Sequence, residues 1–212
     1  MIRNEAEARE FVGRLGDEAA LGRLDRLVSL LLAENSRQNL IAQPTIPAVW
    51  QRHIADSAQL LNHISADNPG IWLDLGTGAG FPGLVIAALR PAWDIRLVES
   101  RRKRVEWLES VRAGLGLTCC RVIGSRLELA ESFEAGVISA RAFAPMPRLL
   151  DLSARFSTPA TIWLLPKGRS AAQELASLPE SQRQLFHVEH SQTDPEAGII
   201  VGRLEQKARR SA

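Results

Sequence analysis

Three kinds of side chain are spaced so that they could do chemistry together. Asp74 precedes Gly76, Gly78 and Gly80 at every second position, Glu99 stands further on, and Arg141 closes a later apolar run. Glycines so spaced suit a sharp turn that needs positive φ or close backbone approach. Gly78-x-Gly80-x-x-Gly83 also satisfies a dinucleotide-binding pattern, which alone is weak evidence. Glu99 lies ~20 residues past the turn, where a carboxylate can accept hydrogen bonds from both hydroxyls of a ribose. An acid there also suits a helix N-terminus through the dipole. The chemistry on offer is the binding of part of a nucleotide.

The elements that must position these groups are legible around them. Ile71, Trp72, Leu73 and Leu75 form a near-continuous apolar run, as expected for a strand covered on both faces. After the glycines, Pro82 suits a first helical turn, where its missing N–H would have had no partner. Leu84, Val85, Ala87, Ala88 and Leu89 continue as a helix to about Arg90. Further strands are expected at Ile95–Glu99, Thr118–Ile123, Gly136–Ala140 and Thr161–Leu165, with a helix from Ser100 to about Gly114. Leu185–Glu189 and Ile199–Leu204 read as a closing pair. Alternating strands and helices predict an α/β fold, mostly a parallel sheet with helices on both faces.

Ahead of the sheet, three helices are expected as a cap over residues 1–66, with the nucleotide-type domain over 67–212. The first runs from about Glu5 to Leu15 with Phe11, Val12 and Leu15 inward. The second runs from about Ala19 to Ala33 and buries Leu21, Leu24, Leu27, Val28, Leu31 and Leu32. Asn35–Gln43 is polar and reads as loop. Pro47 opens the third, with Trp50, Ile54, Ala58 and Leu61 on its apolar side. Asp67-Asn68-Pro69-Gly70 is a turn cluster, and the tail from Gln206 is charged and expected to be loose.

The chain has 212 residues, 45% hydrophobic, with net charge +2. That suits a domain with a substantial core, and a mildly basic surface permits a nucleic-acid substrate without demanding one. Cys119 and Cys120 are adjacent and are the only cysteines, so a reducing compartment is expected. No His/Cys cluster has metal-ligand spacing. No secretion signal or membrane-length apolar run is visible. A cytoplasmic monomer is expected.

The charge of Asp74 separates two cofactor readings. A pyrophosphate would be repelled by a carboxylate before the turn, whereas an ammonium and a sulfonium would be attracted, strongly so in a partly dry cleft. Asp74-x-Gly76-x-Gly78-x-Gly80 resembles the first motif of class I methyltransferases, Rossmann-like proteins that bind S-adenosylmethionine. In such folds the adenine ring usually lies after the third strand, here Gly124-Ser125-Arg126-Leu127-Glu128. Backbone around Leu127 and Glu128 could serve its edge, although an ordinary loop would read the same way. Arg141 stands where open α/β sheets collect ligands. It could bind the donor's carboxylate or a guanine O6, or belong to a structural ion pair. The Asn/Asp-Pro-Pro-aromatic motif of many amino-group methyltransferases is absent here, which argues against an exocyclic amine as acceptor.

Further candidates lie outside the turn. Arg101, Arg102, Lys103 and Arg104 open a helix, where cations oppose the macrodipole at about 0.3–1 kcal/mol each. They read either as a phosphate track or as a solvated face. Arg52 with Asp56, and His53 with Ser57, are four apart and expected on one helix face. A lone histidine is usually structural. Lys167, in Pro166-Lys167-Gly168, offers one more cation at the carboxyl edge of the sheet, where lysines are commonly just solvated.

Taken together the chain resembles the small-subunit ribosomal RNA guanine-N7 methyltransferases called RsmG, formerly glucose-inhibited division protein B. The matching segments are Arg52-His53-x-x-Asp56-Ser57, Asp74 through Gly83, Lys103-Arg104-Val105, Ser125-Arg126-Leu127-Glu128, Ser139-Ala140-Arg141-Ala142 and Lys167-Gly168. The resemblance implies donor contacts at Gly76, Phe81, Glu99, Leu127, Glu128 and Arg141, beside the Asp74, Gly78 and Gly80 of the turn. It also implies an acceptor in a 16S rRNA loop near the decoding site. Two departures stand out: Glu34-Asn35 replaces a Trp-Asn pair frequent in the family, and the segment after Leu178 matches only loosely.

Guanine N7 already presents a lone pair, so attack on a sulfonium methyl needs no base. Catalysis then reduces to alignment, worth up to ~7–11 kcal/mol, with Arg141 and His53 as positioning candidates. Arg52, Arg101, Arg102, Arg104, Arg126 and Lys167 are the candidates for RNA phosphates. Two rivals remain: a nicotinamide-dependent reductase, disfavoured by the lack of any Tyr, and a non-catalytic RNA-binding or assembly factor.

Overall fold

The computed structural model describes residues 1–65 and 70–204. Asp67, Asn68 and Pro69 of the expected turn, and the charged tail from Gln206, lie outside the described residues. Seven strands form one sheet: β1 (Trp72–Leu75), β2 (Ile95–Val98), β3 (Cys120–Ile123), β4 (Val137–Ala140), β5 (Ile162–Gly168), β6 (Phe186–His190) and β7 (Gly198–Gly202). Their order is β3-β2-β1-β4-β5-β7-β6. The pairings among β1 to β5 are parallel, and β7 runs antiparallel between β5 and β6. The expected closing pair is therefore a hairpin that folds back into the sheet beside β5.

Alternation along β1 sorts the core into two layers. Trp72 joins one cluster with Ile95, Leu97 and Val137, covered by α4 (Gly83–Leu89) and α5 (Arg102–Gly114). Leu73 and Leu75 face the other, with Ile138, Trp163 and Leu165 under α6 (Met146–Ser153) and α7 (Ala171–Ala176). Both faces are thus apolar, as a parallel sheet between helices requires. A short α8 (Glu180–Arg183) precedes β6. Among the described residues no helix is long and apolar enough to cross a membrane.

The N-terminal helices do not form a core of their own. α1 (Glu5–Gly13) and α2 (Glu18–Gln38) bury Phe11, Val12, Leu24, Leu27 and Leu31 in the cluster that holds Trp72 and Leu84. Each fully buried Leu there contributes about 1.5–3 kcal/mol. Asn4 and Asp17 cap the two helices by accepting from the N–H groups of Glu7 and Ala20. Leu32, expected inward, is exposed instead, because the buried stripe follows Leu24, Leu27 and Leu31.

Two local departures have identifiable causes. α2 continues through Asn35 to Gln38, where a loop is expected, and stops at Asn39, whose φ of 43° ends the helix. The buried Asn35 side chain accepts the N–H of Ile41 at 2.8 Å and so satisfies the turn from inside. The single helix expected after Pro47 is broken into pieces. A 3-10 turn (Gln43–Ala48) is followed by a π-helical turn (Trp50–Ala55), α3 (Asp56–Ala58) and a second 3-10 turn (Gln59–His63). The Glu5 carboxylate accepts the N–H groups of Trp50 and Gln51 at 2.9 and 2.8 Å. An α-helix would have sent both to backbone carbonyls. π-turns of this kind are frequent at functional sites.

Candidate functional site

Strand register builds the site. Leu75 pairs with Val98 and with Ala140, and Val98 pairs with Ile123. The next residues, Gly76, Glu99, Arg141 and Gly124, therefore stand side by side at the carboxyl edge of the sheet. Between β1 and β4 the order in which successive strands are added to the sheet reverses, the place where open α/β sheets bind ligands. A cavity of about 670 Å³ opens there, in the size range of small-molecule sites. Gly76, Gly78, Phe81, Glu99, Arg101, Arg104, Arg126, Leu127, Glu128 and Arg141 all contribute to its wall.

The glycine turn is fixed from several sides. Gly76 and Gly78 adopt φ of 59° and 60°, and a Cβ on Gly76 would collide with the Phe143 ring. Thr77 N–H donates to Val98 O at 3.0 Å, and Trp107 Nε1–H donates to Ala79 O at 3.0 Å. The turn then enters α4 through a cis Phe81–Pro82 bond. Gly80 is absent from the cavity wall; Leu84 occupies the space a side chain there would need.

Asp74 differs from the expected role. Its carboxylate is fully buried beneath the turn, where Oδ2 accepts the N–H of Gly83 at 3.0 Å and Oδ1 accepts the Ser139 hydroxyl at 2.7 Å. Ser139 in turn accepts the Trp72 indole N–H at 2.8 Å. Burial pushes the Asp74 carboxyl up to about 6, against the hydrogen bonds that hold it. It does not line the cavity, so the direct attraction expected between this acid and a bound ammonium has no geometry. The acid braces the floor.

Glu99 is nine-tenths buried and faces the cavity. Oε1 accepts the N–H groups of Ser100 and Arg101, each at 2.8 Å, while among the described residues Oε2 accepts only the Gly78 N–H at 3.2 Å. Acceptor capacity is left on Oε2. Opposite, Leu127 is buried and Glu128 exposed on a short 3-10 turn (Leu127–Leu129). Arg155 holds that turn by donating to the carbonyls of Leu127 and Ala130.

Arg141 stands between this cavity and two further hollows, and lines all three. Its guanidinium lies over the Phe81 ring at 5.1 Å, reaches Asp56 Oδ2 at 3.5 Å and His53 Nδ1 at 3.4 Å. His53 also packs on Phe81, its ring 5.2 Å from that of Phe81, with Nε2 2.8 Å from the Thr45 hydroxyl. Burial, then the charges of Arg141 and Arg52, depress its pKa to about 3. A neutral imidazole beside a guanidinium must accept at Nδ1, which puts its proton on Nε2, toward Thr45.

The remaining cations divide. Arg101 and Arg126 are exposed at the cavity mouth. Arg104 also lines the cavity but spends its donors on the carbonyls of Gln38, Asn39 and Leu40, at the C-terminus of α2. That contact offsets the unfavourable placement of a cation early in α5. Arg102 pairs with Glu106 on the surface. Arg52 does not pair with Asp56; it binds Asp194 at 2.7 Å, while Asp56 faces Arg141. Ser57 meets His53 only through the His53 carbonyl. Lys167, expected as a phosphate contact, is 4% exposed, paired with Glu174 at 2.7 Å and bonded to Ala144 O at 3.1 Å. It clamps the loop after β4.

Sequence reasoning missed Phe143, which closes over Gly76; Arg148, an exposed cation in the cavity wall; and Leu40, which brings the cap to the cavity rim. Ala142 at φ 52° sets the direction of Phe143. Only the Ser139–Ala142 pattern pointed at that loop.

The family model of GidB, rRNA small subunit methyltransferase G, matches residues 20–195. A ribosomal RNA small subunit methyltransferase G from Erythrobacter litoralis is 59% identical over 98% of this chain and all of its own length. One from Novosphingobium aromaticivorans is 61% identical over 89% of this chain and 82% of its own length. In fold, the chain is similar to a methyltransferase from Geobacter sulfurreducens, with TM-score 0.58 at 13% identity over 85% of this chain and 89% of the other. The ribosomal protein L11 methylase of Lactobacillus delbrueckii gives TM-score 0.53 at 13% identity, over 72% and 78%. The strand order and the methyltransferase neighbours identify the class I methyltransferase fold expected from the glycine turn. On the strength of a match along most of its length and of relatives more than half identical to it, the chain belongs to the GidB family, the rRNA small subunit methyltransferases G.

Proposed function

We propose that the protein transfers the methyl group of S-adenosylmethionine to N7 of a guanine in a 16S rRNA loop near the decoding site. The observation that carries this reading is a cavity at the carboxyl edge of the sheet in which a ribose acceptor, a glycine turn and the Leu127–Glu128 turn converge as a nucleoside requires. Glu99 Oε2 keeps capacity for a ribose hydroxyl, and the Leu127–Glu128 turn offers backbone to an adenine edge. Gly76 and Gly78 bring main chain up to the ligand, and Phe81 and Arg141 close the far side. These residues fit the donor. When bound, S-adenosylmethionine supplies an electrophilic methyl group on a cationic sulfur.

The protein's share is placement. His53 is neutral at physiological pH, and its Nδ1 lone pair is directed at Arg141. It is therefore a weak base whose lone pair is already engaged, and N7 requires none. Arg141 and His53 both pack against the Phe81 ring, linking the cap to the turn, which suits a reaction whose barrier is lowered by alignment. The target base must be unpaired or extruded to reach such a recess. Arg101, Arg126 and Arg148 at the mouth are suited to RNA phosphates.

The test is methyl transfer from labelled S-adenosylmethionine to small ribosomal subunits and to naked 16S RNA, followed by nucleoside analysis and mapping. 7-Methylguanosine at one site is the expected product. Label in another nucleoside, or none with either substrate, overturns the reading.

A further inference from the structure

A second, smaller hollow lies against the donor cavity, and its chemistry is specific. It measures about 220 Å³ and is lined by Thr45, Asp56, Arg141, Ser191, Asp194 and Gly198 among others, drawn from the cap, β4 and the approach to β7. Arg141 belongs both to this hollow and to the donor cavity, whereas Asp56 lines this hollow and not the donor cavity. A groove between the loops after β4 and β5 also reaches Arg141 and shares Pro166 and Gly168 with the hollow. It offers an entrance.

The two charged groups are loosely engaged. Among the described residues Arg141 makes only long polar contacts, 3.5 Å to Asp56 and 3.4 Å to His53, although a guanidinium carries five donors. Asp56 Oδ1 accepts from Gln59 and Thr193, each at 2.9 Å, while among the described residues Oδ2 faces only Arg141. A donor and an acceptor therefore sit side by side in a partly buried recess, both with capacity left. Both side chains are partly open to the hollow, 26% and 20% exposed, so a base entering it can take up that capacity in place of water.

We infer that this hollow reads the Watson–Crick edge of the target guanine, with Arg141 donating to O6 and Asp56 accepting from N1–H and the N2 amine. The inference rests on guanine N7 being the acceptor. Its warrant is order in space. Passing round guanine from N7, the groups met are the O6 acceptor and then the N1–H donor; round adenine they are the N6 donor and then the N1 acceptor. N7 must face the donor cavity. Arg141, which lines that cavity, then meets position 6, and Asp56, further in, meets position 1. Guanine matches this order and adenine opposes it twice. Asp56 is thereby a specificity-determining residue, and flipped bases are read in this manner elsewhere.

The experiment uses the full chain and 16S RNA rebuilt by ligation with guanosine or inosine at the mapped position; inosine lacks only the N2 amine. Wild-type protein should methylate the inosine substrate roughly 10-fold less efficiently, the share of one charge-assisted hydrogen bond. Asp56→Asn should bind S-adenosylmethionine within about twofold of wild type, lose roughly 10- to 100-fold in kcat/KM on guanosine, and show a guanosine-to-inosine ratio near one. Equal wild-type rates on the two substrates, or an unchanged ratio in Asp56→Asn, overturn the assignment. Should Asp56→Asn fail to fold, the wild-type ratio alone decides. Absence of 7-methylguanosine from the wild-type reaction would instead overturn the parent reading, and this one with it.

Discussion

The carboxylate of Asp74 accepts the N–H of Gly83 across the glycine turn, so the last acid of β1 holds the first turn of α4 in place. Oδ1 is occupied as well, by Ser139 on the neighbouring strand β4. The acid that looks in sequence like a ligand contact is in structure the peg on which the turn hangs. Ligand-facing charge belongs to Glu99, one strand away.

Burial of Asp74 and of His53 makes stability depend on pH in opposite senses. Asp74 in the folded chain has a pKa of about 6 against an ordinary 3.8. Between those values the folded state keeps a proton that the unfolded state has released, so stability falls as pH rises through the window. For His53 the folded value is about 3 against 6.5. Below 6.5 the unfolded chain takes up a proton that the folded one excludes, and stability falls as pH drops. Each slope is about 1.4 kcal/mol per pH unit at full linkage, so the two nearly offset between about pH 4 and 6. Asp74→Asn should therefore steepen the acid loss of stability and His53→Gln should flatten it. Urea midpoints measured across pH 4–7 decide this; parallel profiles for all three proteins would remove both assignments.

Gly78→Asp should abolish donor binding. The residue sits at φ 60°, and its N–H is 3.2 Å from Glu99 Oε2. A side chain there has open space, with Gly76 O 3.7 Å from the Cβ position, so the fold should survive at a cost of about 1–2 kcal/mol in backbone strain. Its carboxylate, however, would stand beside Glu99 in the cavity. Calorimetry should find no measurable binding of S-adenosylmethionine by a protein that still unfolds cooperatively. Wild-type affinity in this variant would place the donor elsewhere.

The sheet and the turn were legible because their signals are local. Apolar runs, glycines at alternate positions and an acid after β2 each lie within a few residues of what they specify, and Glu99, Phe81 and Leu127 duly meet at one cavity. What stayed hidden depends on contacts between distant segments. Glu5 reaches Trp50 and Gln51 and converts a helix into a π-turn; no periodicity carries that information. Lys167 reads as a solvated cation until Glu174 and Ala144 are seen to bury it. Phe143 directly follows the Ser139–Ala142 motif, yet its role needs the φ of Ala142 and the missing side chain of Gly76.

Arg141→Ala should lose activity far more than stability. The side chain makes two long polar contacts and one ring contact, and the cation–π component is worth about 0.5–2 kcal/mol. Asp56 would retain Gln59 and Thr193 as partners. The melting temperature should shift by a few degrees only, while methyl transfer falls by roughly 100-fold or more. Wild-type turnover would reduce Arg141 to a structural partner of Asp56.

Binding of RNA should weaken steeply with salt, and the slope should identify the side chains that meet phosphate. Arg126 and Arg148 are exposed in the cavity wall, and neither side chain has a polar partner among the described residues. Each phosphate contact contributes about 0.7–0.9 to the slope of log K against log salt. Arg126→Ala and Arg148→Ala should each reduce that slope by about 0.7–0.9, and the double variant by about 1.4–1.8. Arg102→Ala is the control: its partner is Glu106, and it is absent from the cavity wall. Its slope should match wild type. A drop with Arg102→Ala and none with the other two would move the RNA track from the cavity mouth to the outer face of α5.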